Sequence, residues 1–172
     1  MPYFCMLLRA AESADAMSVA GVHVRSWQSA YRGLLPDEYL DKLRPEDRAQ
    51  GYDFATRDPQ RPQTIVAVEG GLICGFATTA PSRDSDLVGY AELCALYVDP
   101  DYWGHGMGKA LMSAARERFV ERGFGNALLW VLMGNVRADR FYRRDQWTPD
   151  GLQRKETMWG VTVNEIRYRR KL

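Results

Sequence analysis

Apolar positions along this chain recur with two periods, and the change from one to the other marks the elements. Met6 to Ala10 reads as a short strand. Val19, His23, Trp27 and Tyr31 then fall four residues apart, on one face of a helix that Ser13 is placed to cap and that runs to about Tyr31. Val19 and Trp27 read as its buried stripe, whereas His23 and Tyr31 suit either core or pocket wall. Pro36 before Asp37 to Leu43, and Pro45-Glu46-Asp47, predict two short helices that open on proline with acids in the first turn, a flexible lid or wall. Thr64 to Glu69 and Leu72 to Ala80 flank Gly70-Gly71, the pattern of a tight hairpin. Val88 to Val98 reads as one long central strand, Gly108 to Arg122 as an amphipathic helix ended by Gly123, and Ala127 to Met133 as a strand covered on both faces. Asn135 can cap a helix to about Arg144, and Thr148 to Met158 with Val161 to Arg170 predict a closing antiparallel pair.

This order fixes the fold class. A hairpin demands antiparallel pairing, while strand, helix, strand over 88 to 133 demands a parallel pair joined by a right-handed crossover. The expectation is α/β (α+β): a mixed, mostly antiparallel central sheet with helices packed on it. At 172 residues, with no repeat or low-complexity segment, 1–172 is expected to form a single domain.

Charge and cysteines narrow the partners. Lys plus Arg number 23 and Asp plus Glu 22, a balance that argues against a general nucleic-acid or membrane-surface binder. The basic run Arg167, Arg169, Arg170, Lys171 reads as a solvated strand end. Cys5, Cys74 and Cys94 are odd in number and lack C-x-x-C spacing, which suits a reducing compartment. The apolar start, Met1 to Leu8, has no basic leader, so no targeting segment and a cytoplasmic location are expected. His23 and His105 stand far apart, and no cluster has metal-ligand spacing, so no metal is expected.

Chemistry concentrates after the long strand. Gly104, His105, Gly106, Met107, Gly108 and Lys109 place three alternate glycines between strand and helix, where a backbone without Cβ atoms and the positive end of the helix favour an anion. A Walker loop is excluded because Ala110 follows Lys109, and a dinucleotide fingerprint because Lys109 stands where the final glycine belongs. Upstream, Glu92 is the one acid of a strand otherwise apolar, a costly residue to bury without a partner or a task.

Leu96-Tyr97-Val98-Asp99-Pro100 before the glycine turn, the turn itself, and Asn135-x-x-Ala138-x-x-Phe141-Tyr142 after the next strand together resemble the GCN5-related N-acetyltransferase family. The opening run Val22 to Pro36 is similar to a pattern recurrent among its small bacterial members. The family often carries Gln or Arg where this chain has Trp103, and Gly where it has Gln146. The resemblance implies a splayed parallel strand pair that holds acetyl-CoA. Gly104 to Lys109 would take the pyrophosphate, the backbone of Leu96, Tyr97 and Val98 would pair with the pantetheine, and Asn135 would help from the other side. It further implies Glu92 as the base that accepts the ammonium proton and Tyr142 as the acid for the leaving thiolate, with Trp27, Tyr31 and Glu92 beside the acceptor. A structural carboxylate paired with an arginine is the alternative for Glu92, and packing against the pantetheine the alternative for Tyr142. Cys94, two residues from Glu92, raises a minor thiol route. The reading is acetyl transfer to a primary amine of a small molecule or peptide in a ternary complex. A non-catalytic acyl-CoA sensor and a transferase for longer acyl groups are its alternatives. The resemblance also allows a homodimer.

Overall fold

A computed structural model describes residues 5–172; the first half of the apolar start, residues 1–4, lies outside the described residues. Seven strands form one mixed sheet: β1 (Leu7–Ala10), β2 (Gln63–Glu69), β3 (Leu72–Pro81), β4 (Ala91–Val98), β5 (Asn126–Leu132), β6 (Thr148–Met158) and β7 (Val161–Lys171), in spatial order β1-β2-β3-β4-β5-β7-β6. All neighbours are antiparallel except β4 and β5. The fold class is the expected one.

Strand alternation divides the core. Ile65, Ala67 and Ala77 turn to the face covered by α4 (Met107–Glu121) and α5 (Val136–Arg144), where Leu111, Met112, Ala115 and Phe119 meet them. Val66 and Phe76 turn the other way, to Val19 and Val22 of α1 (Ala16–Ala30). Trp27, Tyr31 and Leu35 extend that second layer under α2 (Asp37–Asp41) and α3 (Pro45–Ala49), against Val163 of β7. Gly75 lets α4 approach: a Cβ there would lie 3.0 Å from Leu111 and 3.3 Å from the Met107 sulfur.

Three expectations need correction. Ser13 does not cap α1; it opens a 3-10 turn, Ser13–Asp15, in which the Asp15 carboxylate accepts the Glu12 N–H at 2.8 Å and is itself held by Arg9. The long strand begins only at Ala91, because Leu87 to Tyr90 form a turn around Gly89 at φ 87°, which leaves Val88 82% exposed. The basic strand end is solvated only at Arg169 and Lys171. Arg167 is 4% exposed, fixed by Asp84, Asp86 and Asp150, while Arg170 pairs with Asp145.

Two irregularities of β4 shape the site. It pairs with β5 only at Ala91, Glu92 and Leu93, opposite Ala127, Leu128 and Leu129, whereas β5 continues along β7 to Leu132. Past Leu93 the two strands part. The register against β3 also slips, Leu93 opposing Thr79 and Ala95 opposing Thr78, so Cys94 is the extra residue of a bulge. The bulge reverses the alternation: Leu93 faces α4, Ala95 and Tyr97 face α1, and Leu96 and Val98 face α4 again.

Candidate active site

One flank of the splay is backbone. Asp99 caps a 3-10 turn, Pro100–Tyr102, through the Asp101 N–H at 3.1 Å, and Arg25 grips the same carboxylate at 2.6 Å. Gly104 and Gly106 both adopt φ 81°, a region costly to residues with a Cβ, and Gly106 becomes the N-cap of α4. The first ladder bond runs from Ala110 N–H to Gly106 O at 3.0 Å, so the amides of Met107, Gly108 and Lys109 precede the ladder. His105 and Lys109 are exposed there; the Met107 side chain points into the core. Trp103 donates its indole N–H to Val98 O at 2.8 Å and carries the Arg137 guanidinium on its face, 3.6 Å from the ring centre. Open glycines, free helix amides, Lys109 and an Arg137 with no carboxylate partner among the described residues fit a phosphate-bearing ligand.

Gly108 brings α4 against α5, since a Cβ would lie 3.3 Å from the Phe141 ring. Asn135 caps α5 by accepting the Ala138 N–H at 3.1 Å, which commits its oxygen and leaves its NH2 for a ligand. Val98 O is also committed, to Trp103 and to Ser26 at 2.9 Å, so within Leu96 to Val98 that carbonyl is already used. Gln146, where the family often has glycine, takes φ 68°. The turn is kept, Gln146 and Trp147 N–H bonding to Arg143 and Tyr142 carbonyls.

The opposite flank, on the α1 face, is side chains. Glu92 is 2% exposed and fully engaged with Arg83, whose N–H, Nε and Nη2 donate to it at 3.1, 3.2 and 2.8 Å. This is the arginine-paired carboxylate named above as the alternative to a free base. Glu165, opposite Leu132 on β7, is buried too but accepts from a single side chain, Arg154 Nε at 2.9 Å, and burial raises its pKa. Between them Trp130 lies under the Arg154 guanidinium, 4.1 Å from the ring centre, with its indole nitrogen unpartnered among the described residues.

Three phenols converge where the strands part. Tyr31 and Tyr97 hydroxyls lie 3.4 Å apart, and Tyr142 is close enough to raise the pKa of Tyr31 as burial does. Burial pushes Tyr142 itself up, so it keeps its proton at neutral pH. Trp27 is packed against Tyr31 and Trp159, a wall rather than a free contact surface, and its indole nitrogen is unpartnered among the described residues. His23 is half-buried among rings, shares a 2.8 Å hydrogen bond with the Tyr52 hydroxyl, and is held neutral by desolvation and Arg48. Cys94 lies in the bulge, its thiol pushed up to about 12 by burial and by Glu92, which removes the thiolate that a covalent route needs.

The model of the Acetyltransferase (GNAT) family matches residues 24–146. The chain belongs to that family. It is 31% identical over 130 residues to the uncharacterized N-acetyltransferase YuaI of Bacillus subtilis, covering 74% of this chain and 72% of the relative. It is also 25% identical over 175 residues to a probable N-acetyltransferase, Rv2775, of Mycobacterium tuberculosis, covering 94% and 91%. Among solved structures, PaiA N-acetyltransferase of Thermoplasma acidophilum, in complex with coenzyme A, superposes with TM-score 0.77 at 19% identity, over 98% of this chain and 99% of that one. The Salmonella typhimurium protein yncA, with its cofactor acetyl-CoA, superposes at 0.70 and 17%, over 97% and 94%.

Within this GNAT fold, the sequence reading named the residues of the backbone flank but not Arg83, Trp130, Arg154 or Glu165, and it took Arg167 for a solvated strand end. One signal was present. Val161, Val163, Glu165 and Arg167 share a strand face, so two charges continue an apolar row, the mark of a built polar pocket.

Proposed function

We propose that this GNAT chain transfers an acetyl group from acetyl-CoA to a primary amine by direct attack in a ternary complex. The observation that carries the reading is the parting of β4 and β5 beyond Leu93, with open helix amides on one side and buried, proton-holding side chains on the other. Bound acetyl-CoA supplies the acetyl group as a thioester. The amides of Gly104 to Lys109 would seat its pyrophosphate, Arg137 and Lys109 would add charge, and the β4 edge from Leu96 to Val98 and the Asn135 NH2 would hold its pantetheine. Tyr142, kept protonated by burial, would give its proton to the departing sulfur. Tyr31 and Trp27 would form the wall beside the acceptor. Three unpaired thiols, Cys5, Cys74 and Cys94, fit a cytoplasmic setting.

An ammonium of ordinary pKa ~10.4 costs roughly 4 to 5 kcal/mol to deprotonate at neutral pH, so a base close by is useful. Glu92 is the residue the family pattern designates. It can take the proton if Arg83, whose side chain is 66% exposed, swings out to solvent. Glu165 is the second reading, favoured by its single side-chain partner and its raised pKa. Thiol release from acetyl-CoA over an amine panel, followed by pH–rate profiles, separates these. Loss of the acidic limb in Glu92→Gln, with about a 100-fold lower plateau, supports Glu92; the same change confined to Glu165→Gln transfers the role. Coenzyme A binding without thiol release for any amine would sink the transferase reading.

A further inference from the structure

Arg9, Arg25, Arg83, Arg116, Arg154 and Arg167 each have a guanidinium nitrogen within 3.0 Å of a carboxylate oxygen. Arg137 and Arg48 do not, among the described residues. Both lie on a tryptophan face instead, Arg137 on Trp103 and Arg48 on Trp159, and loss of solvation lowers the pKa of both, Arg48 to about 10. Arg137 stands beside the glycine turn, where the phosphates of a coenzyme would satisfy it. Arg48 stands on the acceptor side with no such explanation, and its Nε is buried without a hydrogen-bond partner among the described residues. A buried guanidinium donor left unpaired costs more than an ordinary hydrogen bond returns, so it points to a ligand that completes it.

The surroundings define that ligand. A cavity of about 300 Å³ opens at Arg48, lined by Tyr39, Lys42, Arg44, Asp47 and Trp159 among others; Lys42 and Arg44 pair with Glu38 and Glu46, which leaves Arg48 as its one cation without a carboxylate among the described residues, beside two aromatic rings. That lining takes an anion with an apolar body. The cavity shares a wall with the splay: the Trp159 ring lies 4.3 Å from His23, and His23 lies 4.6 Å from Tyr97 of β4. Two ring separations exceed the span from amine to carboxylate in an α-amino acid, so the two groups must be several bonds apart.

We propose, building on the transfer reading above, that the acceptor is an amine carrying a carboxylate several bonds away, and that Arg48 is its anchor. The guanidinium fork takes the carboxylate, Tyr39 lies beside the connecting chain, and the amine reaches the splay past His23 and Tyr97. Arginine suits this task because its planar fork binds a carboxylate through two parallel hydrogen bonds.

The test measures thiol release from acetyl-CoA with 6-aminohexanoate, 4-aminobutyrate and glycine, and with 6-aminohexanamide and hexylamine as uncharged counterparts. Wild type should favour 6-aminohexanoate over its amide by about 10-fold or more in kcat/KM, with glycine poorest. Arg48→Gln should lower kcat/KM for 6-aminohexanoate by about 30- to 100-fold, mainly through KM, and leave the amide within about 2-fold. Arg48→Lys should keep part of the preference. Coenzyme A binding measured by calorimetry on each variant certifies that it is folded. Equal treatment of acid and amide by wild type and Arg48→Gln overturns the assignment, as does turnover confined to uncharged or polycationic amines, while transfer itself stands. Coenzyme A binding without turnover of any amine overturns the transfer reading and this inference with it.

Discussion

The two flanks of the splay are made of different material. The coenzyme flank is largely backbone: glycines at φ 81°, helix amides before the first ladder bond, a strand edge that lacks a partner beyond Leu93. Its parts are close in sequence, from Leu96 to Asn135. The acceptor flank is side chains from the loop before β4, from β4, β5, β6, β7 and from α1 and α3, with contacts as distant as Arg167 to Asp84, 83 residues apart. A backbone cradle constrains a few glycines and leaves the side chains around them free to vary, and here the turn keeps its glycines at φ 81° beside Trp103. Side-chain recognition tolerates little locally because every buried charge is counted against another.

Three substitutions test that contrast, in decreasing order of effect. Arg167→Ala leaves Asp84 without its buried counter-charge and Asp150 with Arg169 alone, and unties the loop before β4 from β7. Denaturant unfolding should show a loss of about 3 to 5 kcal/mol, with coenzyme A affinity in the folded fraction nearly unchanged. An equal loss in both would erase the distinction between the flanks. Gly108→Val acts on the other side. Its methyls would strike Phe141 and push α5 from α4, so stability should fall by about 1 to 3 kcal/mol while coenzyme A binding by calorimetry drops by at least about 10-fold. Retention of full affinity would show that the α4–α5 contact does not shape the coenzyme side. Gln146→Gly should be the mildest. Relief of a positive φ, set against glycine's greater chain entropy, should raise stability by about 0.5 to 1 kcal/mol and leave transfer rates alone. A destabilised variant would mean that the Gln146 side chain has a role beyond the turn.

The same division explains what was legible. Hairpin, crossover and closing strand pair follow from apolar period and from Gly70-Gly71, and the observed bounds lie within a few residues of those expected. Val88 to Tyr90 misled because Val and Tyr in a turn carry the same apolar signal as in a strand, and only Gly89 at φ 87° betrays the bend. Arg167 read as a solvated end because its three carboxylates are 17 to 83 residues away. Glu92 was recognisable as an acid that needed a reason, yet its reason, Arg83, lies across a turn that was read as loop followed by strand.

By itself the sequence determined the elements, their order and the glycine turn, because period, capping and left-handed backbone are properties of short stretches. Tertiary structure alone decided where β4 leaves β5, which face each charge joins after the bulge at Cys94, and which arginines find a carboxylate. Those outcomes depend on register and on partners many residues away, and a single inserted residue in a strand reverses them all.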